Sequence, residues 1–334
     1  MLPDDSNHYG NVHGGVILKM IEENGMISAS RHIAPRLPQD KPNPSDKVSI
    51  VALARIDRVD FQNPMHIGEL AELKSHVSCV GKKSMEVTCT VTAENLLTGS
   101  KMETNKARLW YVMIDGSPEK KRFTDALMMD VPKLIVSQRE APPLIYSTES
   151  EEKEALERYR ALKETRSPSA KKQLEAVSNF RRPDSLPVLS HVVLPSECHR
   201  FNTIFGGVVM KLMDTGAAVV AMKHCNSSCV TASLEALNLI APIYLGNLIR
   251  IYAHPTFSSK KSLEVAVYVE AEDLLTGISW RSVSAHLTFV SLDKNGHTQD
   301  IPPLVPKTHE ERIDFAKGQE RYRLRKLNRN AFSK

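Results

Sequence analysis

The sequence predicts an α+β protein that contains the same fold twice. Two observations lead to this prediction: two spaced blocks of sequence recur in the second half, and each half has one early helical pattern followed by several strand patterns. One helix followed by antiparallel strands favours a layer of helix on one face of a sheet. A length of 334 residues and a hydrophobic content of 41% fit two globular domains.

The first recurring block centres on a pair of glycines. The stretch "PDDSNHYGNVHGGVILKMIEENG" from Pro3 aligns with "PSECHRFNTIFGGVVMKLMDTGA" from Pro195, at an offset of 192 residues. Gly14–Gly15 therefore matches Gly206–Gly207. Such self-similarity at a fixed offset indicates an internal duplication.

The second recurring block is "GKKSMEVTCTVTAENLLTG" at 81–99, which matches "SKKSLEVAVYVEAEDLLTG" at 259–277 with an offset of 178. The first copy therefore has 14 more residues between its blocks, around the proline-rich stretch "APRLPQDKPNPSD", which predicts a surface loop. The tails repeat as well, with "ERYRALKETR" at 157–166 and "ERYRLRKLNR" at 320–329.

Each copy begins with one short helical pattern. Apolar residues recur at steps of three and four residues, which marks one buried helix face: Val16, Met20 and Ile21 in the first copy, and Val208, Leu212 and Met213 in the second. The strand patterns that follow are rich in β-branched residues and are separated by Gly and Asn turns. In the first copy they are "KVSIVALARI", "ELAELKSHVSCV", "SMEVTCTVTAEN" and "KARLWYVMI".

These patterns divide the chain into four parts. The first copy spans residues 1–118, and an extension with a charged helix and a linker spans 119–186. The second copy spans 187–297, and a C-terminal extension with a basic helix spans 298–334. The charged segment has oppositely charged pairs four residues apart, such as Glu149 with Lys153, so it predicts a solvated helix.

Composition and motifs exclude several functional classes. The net charge of +5 is too small for a nucleic-acid-binding surface, and no apolar run approaches the roughly 18 residues of a membrane span. The five cysteines form no CxxC pair, which argues against a structural zinc site or a disulfide framework and favours a reducing, cytoplasmic compartment. P-loop and G-x-S-x-G motifs do not occur in the sequence. No metal is expected.

The order of loop, Gly-Gly, amphipathic helix with a carboxylate, and strands with "KKS.EV" and "LLTG" resembles the hotdog-fold acyl-CoA thioesterases. The doubled arrangement, with "GNVHGGVILKMIEE" and "FGGVVMKLMD", is similar to the double-hotdog cytosolic long-chain acyl-CoA hydrolases of the brain type, over nearly the whole chain. The resemblance implies tandem hotdog domains, each a central helix wrapped by a curved antiparallel sheet, paired within one chain. It also implies hydrolysis of long-chain fatty acyl-CoA to free fatty acid and coenzyme A, without a cofactor.

The resemblance further implies site residues. In this family an asparagine from the loop of the first repeat works with an aspartate on the helix of the second, and Asn7 and Asp214 stand at those positions. At the offset of 192, Asn7 aligns with His199 and Asp214 aligns with Glu22. The pair His199 and Glu22 departs from the family pattern, so we expect a degenerate second site with weak or no activity.

These residue types suit thioester hydrolysis. A carboxylate near an apolar acyl channel becomes more basic by desolvation and can either deprotonate water or attack directly, and the sequence leaves both routes open.

Gly14–Gly15 and Gly206–Gly207 lie where a loop becomes a helix, so backbone N–H groups there can form an oxyanion hole. Close helix packing is the alternative. His13 aligns with Phe205, so packing or a supporting polar role are both open for it.

The "KKS" motifs supply candidate contacts for coenzyme A. They comprise Lys82, Lys83 and Ser84 in the first copy and Lys260, Lys261 and Ser262 in the second, at predicted strand starts. Lysine and serine side chains there can bind phosphate groups. A solvated hairpin turn explains the motif equally well.

Two other functions stay open at this point. The segment "DFQNPMHIG" at 60–68 is similar to the Asp, Asn-Pro and His cluster of hotdog enoyl-CoA hydratases, but its spacing is one residue longer and Tyr244 replaces His66 in the second copy. A non-catalytic, regulatory acyl-CoA-binding module is the second alternative. Release of free thiol from palmitoyl-CoA distinguishes hydrolysis from both.

The second copy has "LPVLSHVVLP" ahead of its loop, which predicts a strand, whereas Leu2 and Pro3 of the first copy match Leu194 and Pro195. We therefore expect the natural chain to extend upstream, which leaves a mitochondrial form open beside the cytoplasmic location. The resemblance implies a homo-oligomer, a trimer of double-hotdog chains or a multiple of it. Fatty acyl-CoA is the expected partner, without nucleic acid or stable membrane insertion.

Overall fold

The computed structural model describes residues 1–7, 10–34, 48–116, 135–137, 139–165, 187–199, 201–235 and 237–332. The predicted proline-rich loop at 34–46 and the predicted linker that follows the charged helix lie almost entirely outside the described residues.

Within the described residues, both repeats contain one central helix followed by five strands in the same order, and the first repeat adds a short strand at its end while the second adds one at its beginning. In the first repeat α1 (Gly14–Ile33) is followed by β1 (Val48–Ile56), β2 (Val59–Phe61), β3 (Leu70–Val80), β4 (Ser84–Glu94), β5 (Lys101–Gly116) and β6 (Ile135–Val136). In the second repeat β7 (Leu189–Val192) precedes α3 (Gly206–Cys225), which is followed by β8 (Ser228–Leu234), β9 (Leu237–Leu239), β10 (Leu248–Ser258), β11 (Ser262–Glu272) and β12 (Ser279–Leu292). A further helix follows each repeat, α2 (Glu149–Thr165) and α4 (His309–Phe332). The predicted α+β class and the predicted duplication are confirmed.

The strands form one antiparallel sheet that runs through both repeats. Its order is β3-β4-β5-β1-β9-β12-β11-β10-β7, and β2 bridges β5 and β8. At the seam between the repeats, Ile56 pairs with Leu237 and Val59 pairs with Leu234. At the offset of 178, Ile56 aligns with Leu234 and Val59 aligns with Leu237, so the two pairs are equivalent. The seam therefore has a pseudo-twofold axis.

The central helices α1 and α3 cross at this axis, and glycine permits their close approach. A Cβ atom on Gly15 would lie 2.9 Å from the Cα of Lys211, and a Cβ atom on Gly207 would lie 2.9 Å from the Cα of Lys19. No larger residue fits without moving a backbone. Beside the crossing, the buried apolar faces of both helices join one continuous core.

The helices α2 and α4 pack on the outer face of the sheet through the repeated "ERYR" segments. Arg158 on α2 binds the buried carboxylate of Glu86, with 3.0 Å between Nη2 and Oε1. Arg321 on α4 binds the equivalent Glu264 with a distance of 2.6 Å. Burial favours the neutral form of Glu264, yet Arg321, with His286 and Arg325, holds the pKa of Glu264 below its ordinary value. The prediction of a solvated α2 therefore holds for only one of its faces, because Ala155 is fully buried.

Among the described residues no helix is both long and apolar enough to cross a membrane.

The crossing of the helices gives a first prediction. Replacing Gly207 by Val should lower the free energy of unfolding by about 2 to 3 kcal/mol, because the new side chain overlaps the backbone of Lys19. Lys223→Val, which changes an exposed position of the same helix to the same residue, is the control and should change stability by under about 1 kcal/mol. Urea denaturation measures both. Equal effects of the two variants would contradict the close contact.

Candidate active site

The helix crossing brings a carboxylate of the second repeat to the beginning of the first helix. Asp214 lies on α3 and is fully buried. The backbone N–H of Gly15 donates to its Oδ2 atom at 2.7 Å, and the hydroxyl of Thr231 donates to its Oδ1 atom at 2.8 Å. One acidic side chain is therefore held by both repeats.

His13 is the third group at this carboxylate. It is the residue immediately before α1, and its Nδ1 atom lies 3.1 Å from the N–H nitrogen of Gly15 and 3.2 Å from Oδ2 of Asp214. The N–H of Gly15 donates both to this imidazole nitrogen and to Oδ2 of Asp214, so the two side chains meet at one backbone donor. Of the two roles open for His13 in the sequence, the structure shows the polar contact.

The surroundings of Asp214 shift its ionisation. Burial is the largest influence and raises the pKa of the Asp214 carboxyl above its ordinary value. His13, the hydroxyl of Thr231 and the N–H of Gly15 oppose the rise, because each stabilises the ionised form. The result is a carboxylate that is a stronger base than an exposed aspartate and is still supplied with donors.

Asn7 and Gly14 line a cavity that His13 and Thr231, two of the groups around Asp214, also line, whereas the buried Asp214 does not itself line it. Asn7 lies in the loop before α1, where its Oδ1 atom accepts the N–H of Asn11 at 3.3 Å. A Cβ atom on Gly14 would lie 2.7 Å from Oγ1 of Thr231. Within the described part of the chain, no acceptor is hydrogen-bonded to the N–H of Gly14. The two N–H groups of the glycine pair thus differ, since that of Gly15 binds Asp214.

A cavity of about 2680 Å³ lies beside the helix crossing. Its lining includes Asn7, His13, Gly14 and Thr231. One arm follows α3 and is lined by half-buried or buried apolar side chains, among them Ala218, Val219, Met222, Val230 and Phe289. Another arm extends over the outer face of the first repeat and is lined by polar side chains. The cavity therefore suits a ligand with an apolar and a polar end.

The pseudo-symmetric position has a different set of side chains. Glu22 is buried in place of Asp214, and the N–H of Gly207 lies 3.4 Å from its Oε2 atom. Leu53 replaces Thr231, and a Cβ atom on Gly206 would lie 2.7 Å from the Leu53 side chain. Burial raises the pKa of Glu22 to about 7.

His199 differs from Asn7 in its contacts. It meets the ring of Phe205 edge-on, with 5.6 Å between ring centroids, and hydrogen-bonds to Thr203. Burial lowers the pKa of His199 to about 4. Its imidazole is therefore neutral at pH 7, and it is packed among its own loop residues.

The four lysines of the "KKS" motifs lie in the turns that connect β3 to β4 and β10 to β11, and Ser84 and Ser262 are the first residues of β4 and β11. Lys82 is 4.0 Å from Glu140, and Lys260 is 3.5 Å from Asp300. Lys261 donates to the hydroxyl of Thr298, a residue that lines the cavity, but none of the six lines it. Their binding of coenzyme A stays a prediction.

Thr231 is the site residue that the sequence reasoning missed. It lies on β8, outside both recurring blocks, and carries no motif of its own. The alignment of the two repeats could have found it. At the offset of 178, Thr231 aligns with Leu53, so a polar residue in one repeat stands where the other repeat has an apolar residue.

Comparisons with known proteins identify the family of this chain. A family model described as the thioesterase superfamily matches residues 9–100 and 201–278, about half of the chain. The cytosolic acyl coenzyme A thioester hydrolase of Homo sapiens is 38% identical, over 98% of this chain and 82% of the human protein. An uncharacterized acyl-CoA thioester hydrolase of Bacillus subtilis is 35% identical, over 38% of this chain and 74% of its own length.

Among solved structures, an acyl-CoA hydrolase from Staphylococcus aureus in complex with butyryl coenzyme A and coenzyme A is 28% identical, with a TM-score of 0.41. It covers 43% of this chain and 88% of its own chain.

The chain belongs to the thioesterase superfamily. Within that superfamily it is a member of the family of cytosolic acyl coenzyme A thioester hydrolases, and the resemblance predicted from the sequence is confirmed.

The contacts of Asp214 give a second prediction. Thr231→Val removes a hydroxyl that donates to the carboxylate and stabilises its ionised form, so the pKa of Asp214 should rise further. Titration of the Asp214 carboxyl carbon by NMR measures the change. Thr215→Val, on the same helix, is the control, since the Thr215 hydroxyl donates to the carbonyl of Lys211 instead. An unchanged pKa in Thr231→Val would contradict the proposed geometry.

Proposed function

We propose that this protein hydrolyses fatty acyl-CoA thioesters to free fatty acid and coenzyme A, at the site formed by Asn7 and Asp214. The observation that carries the proposal is the seating of Asp214 of the second repeat at the beginning of α1 of the first, beside a cavity with an apolar and a polar arm. Membership of an acyl-CoA thioester hydrolase family supports the same reaction. The reaction uses water, and coenzyme A is part of substrate and product.

Asp214 supplies the base. Either it accepts a proton from water while the water oxygen attacks the thioester carbonyl, or its own oxygen attacks and water then hydrolyses the resulting anhydride. In both routes the carbon–sulfur bond breaks and the thiolate of coenzyme A takes up a proton. Because Asp214 acts only when ionised, activity should fall as the pH drops through its raised pKa.

Backbone and amide donors stabilise the carbonyl oxygen in this scheme. Gly14 lines the cavity at the positive end of α1, where negative charge on oxygen is favoured, so its N–H is the backbone donor that we assign to the carbonyl oxygen. Asn7 adds an uncharged amide that can orient the carbonyl or the attacking water. Gly15 acts indirectly, because its N–H holds Asp214.

A long acyl chain fits the apolar arm of the cavity along α3. Its wall consists of side chains that leave an open channel beside the helix, including Val219 and Met222. Burying each methylene of an acyl chain there contributes about 0.8 kcal/mol, so long chains gain most. We extend the proposal to long-chain substrates on this basis, and to a cytosolic location on the names of the relatives.

The structure offers less support to the alternative functions. The hydratase-like segment has Asp60 bound to Arg58, and His66 half-exposed beside Glu69, so its acid and histidine each have another partner. A binding module without catalysis needs no ionised acid, yet Asp214 receives three polar contacts. Thiol release from palmitoyl-CoA decides between these functions.

The third prediction compares the two pseudo-symmetric sites with matched variants. Asp214→Asn should lower kcat for palmitoyl-CoA by about 1000-fold or more, and Asn7→Ala by about 100-fold, because a base and a polar donor are lost. Glu22→Gln and His199→Ala should change kcat by less than about threefold, since the second site lacks the threonine and the asparagine. Release of free thiol is measured for each.

Circular dichroism and unfolding midpoints of the same variants serve as the folding control. Equal losses at both pairs would show two working sites, and a fully active Asp214→Asn would remove the carboxylate from the mechanism. Either outcome contradicts the proposal.

The fourth prediction concerns assembly. We propose that the chain forms a homo-oligomer, a trimer or a multiple of it, since both repeats expose a leucine pair at the same hairpin: Leu96 and Leu97, and Leu274 and Leu275. Light scattering after size exclusion should give about three times the chain mass of 37.3 kDa or a multiple. Asp substitutions at Leu97 and Leu275 should dissociate it. A monomer at micromolar concentration would contradict this part of the proposal.

A further inference from the structure

The polar arm of the cavity contains a group of basic side chains from the first repeat. Arg58 precedes β2, and Lys106 and Arg108 lie two residues apart on β5, so that both face the same side of the sheet. All three line the cavity that contains Asn7 and Thr231. We call Arg58, Lys106 and Arg108 the basic strip.

Strand pairing fixes the strip beside the reaction centre. Asp60 on β2 pairs with Lys106 on β5 on one side and with Ser233 on β8 on the other. Ser233 is two residues beyond Thr231 on the same strand. Neighbouring strands lie about 4.8 Å apart, so β5 is about 10 Å from the strand that carries Thr231. A ligand that extends from Thr231 over β2 reaches the strip.

The charges of the strip are only partly neutralised. Arg58 is paired with Asp60, with 3.1 Å between Nε and Oδ1, and Arg108 lies 3.9 Å from Asp57. Lys106 has no ion pair within the described residues. Glu151 and Glu154 on α2 also line the cavity.

The second repeat has no such strip. At the offset of 178, Arg58, Lys106 and Arg108 align with Ala236, Ser284 and His286. Burial lowers the pKa of His286 to about 4, so that histidine is neutral at pH 7. The basic strip lines the same cavity as Asn7 and Thr231. In the second repeat, the residues that align with the strip are uncharged. An asymmetry that follows the reaction centre is expected of a substrate contact and not of a general solubility feature.

We propose that the basic strip binds the phosphate groups of the coenzyme A part of the substrate. This inference rests on the proposed function and adds where the polyanionic end of the thioester lies. Arg58 and Arg108 can bind phosphate oxygens through paired N–H donors, and Lys106 adds a point charge. The acyl chain then occupies the apolar arm along α3, and the thioester lies between the two arms, in front of Asp214.

The fifth prediction exchanges the strip for its counterpart in the second repeat. The double variant Lys106→Ser, Arg108→His should raise KM for palmitoyl-CoA about tenfold or more and leave kcat within about twofold, because these side chains do not touch the thioester carbon. Its KM should also depend less on salt concentration than that of the wild type. With palmitoyl-pantetheine, which lacks the nucleotide and its phosphates, kcat/KM of variant and wild type should agree within about twofold.

The "KKS" turn is the competing candidate for these phosphates, so the comparison variant is Lys82→Ser, Lys83→Ser, which removes two positive charges from the same repeat at a turn that does not line the cavity. Calorimetry with coenzyme A alone supplies a readout that does not need turnover: the strip variant should weaken binding about tenfold, and the turn variant by less than about twofold. Unchanged KM and unchanged coenzyme A affinity in the strip variant would overturn the inference, as would a larger loss in the turn variant. Absence of thiol release from either substrate by the wild type would instead overturn the proposed function, while the calorimetry still decides the inference.

Discussion

The close crossing of α1 and α3 is the constraint on which the rest of the structure depends. Gly15 lets the backbone of Lys211 approach, and the same residue offers its N–H to Asp214 at 2.7 Å. The glycine pairs were open to two explanations in the sequence, helix packing or an oxyanion hole. In the structure Gly15 both permits the close packing and holds the acid, while Gly14 lines the cavity.

The pseudo-twofold axis creates two equivalent positions, and side-chain chemistry makes them unequal. Thr231 and His13 surround Asp214 with polar groups, whereas Leu53 and Phe205 stand at the equivalent places near Glu22. A buried acid without such donors favours its neutral form, which explains why the pKa of Glu22 rises to about 7. The duplicated fold thus places polar groups around one buried acid and apolar side chains around the other.

Much of this arrangement could be predicted from the sequence, because a duplication supplies its own comparison. The offset of 192 aligned Asp214 with Glu22 and gave the two candidate pairs, and family membership then followed from the whole pattern. Thr231 was missed because it lies outside the recurring blocks. The contact between Arg158 and Glu86 could not be predicted, since it joins residues 72 positions apart through the packing of a helix with a mostly polar sequence.

The central claim is that each chain has one working seam site and not two. Calorimetric titration with a thioether analogue of palmitoyl-CoA, in which a methylene group replaces the carbonyl group and the sulfur is kept, tests it directly, because this analogue cannot be hydrolysed. The account predicts one analogue bound per chain, with binding weakened when Thr231 is replaced by Leu, the residue at the equivalent position of the first repeat. Two analogues bound per chain with similar affinity would contradict it.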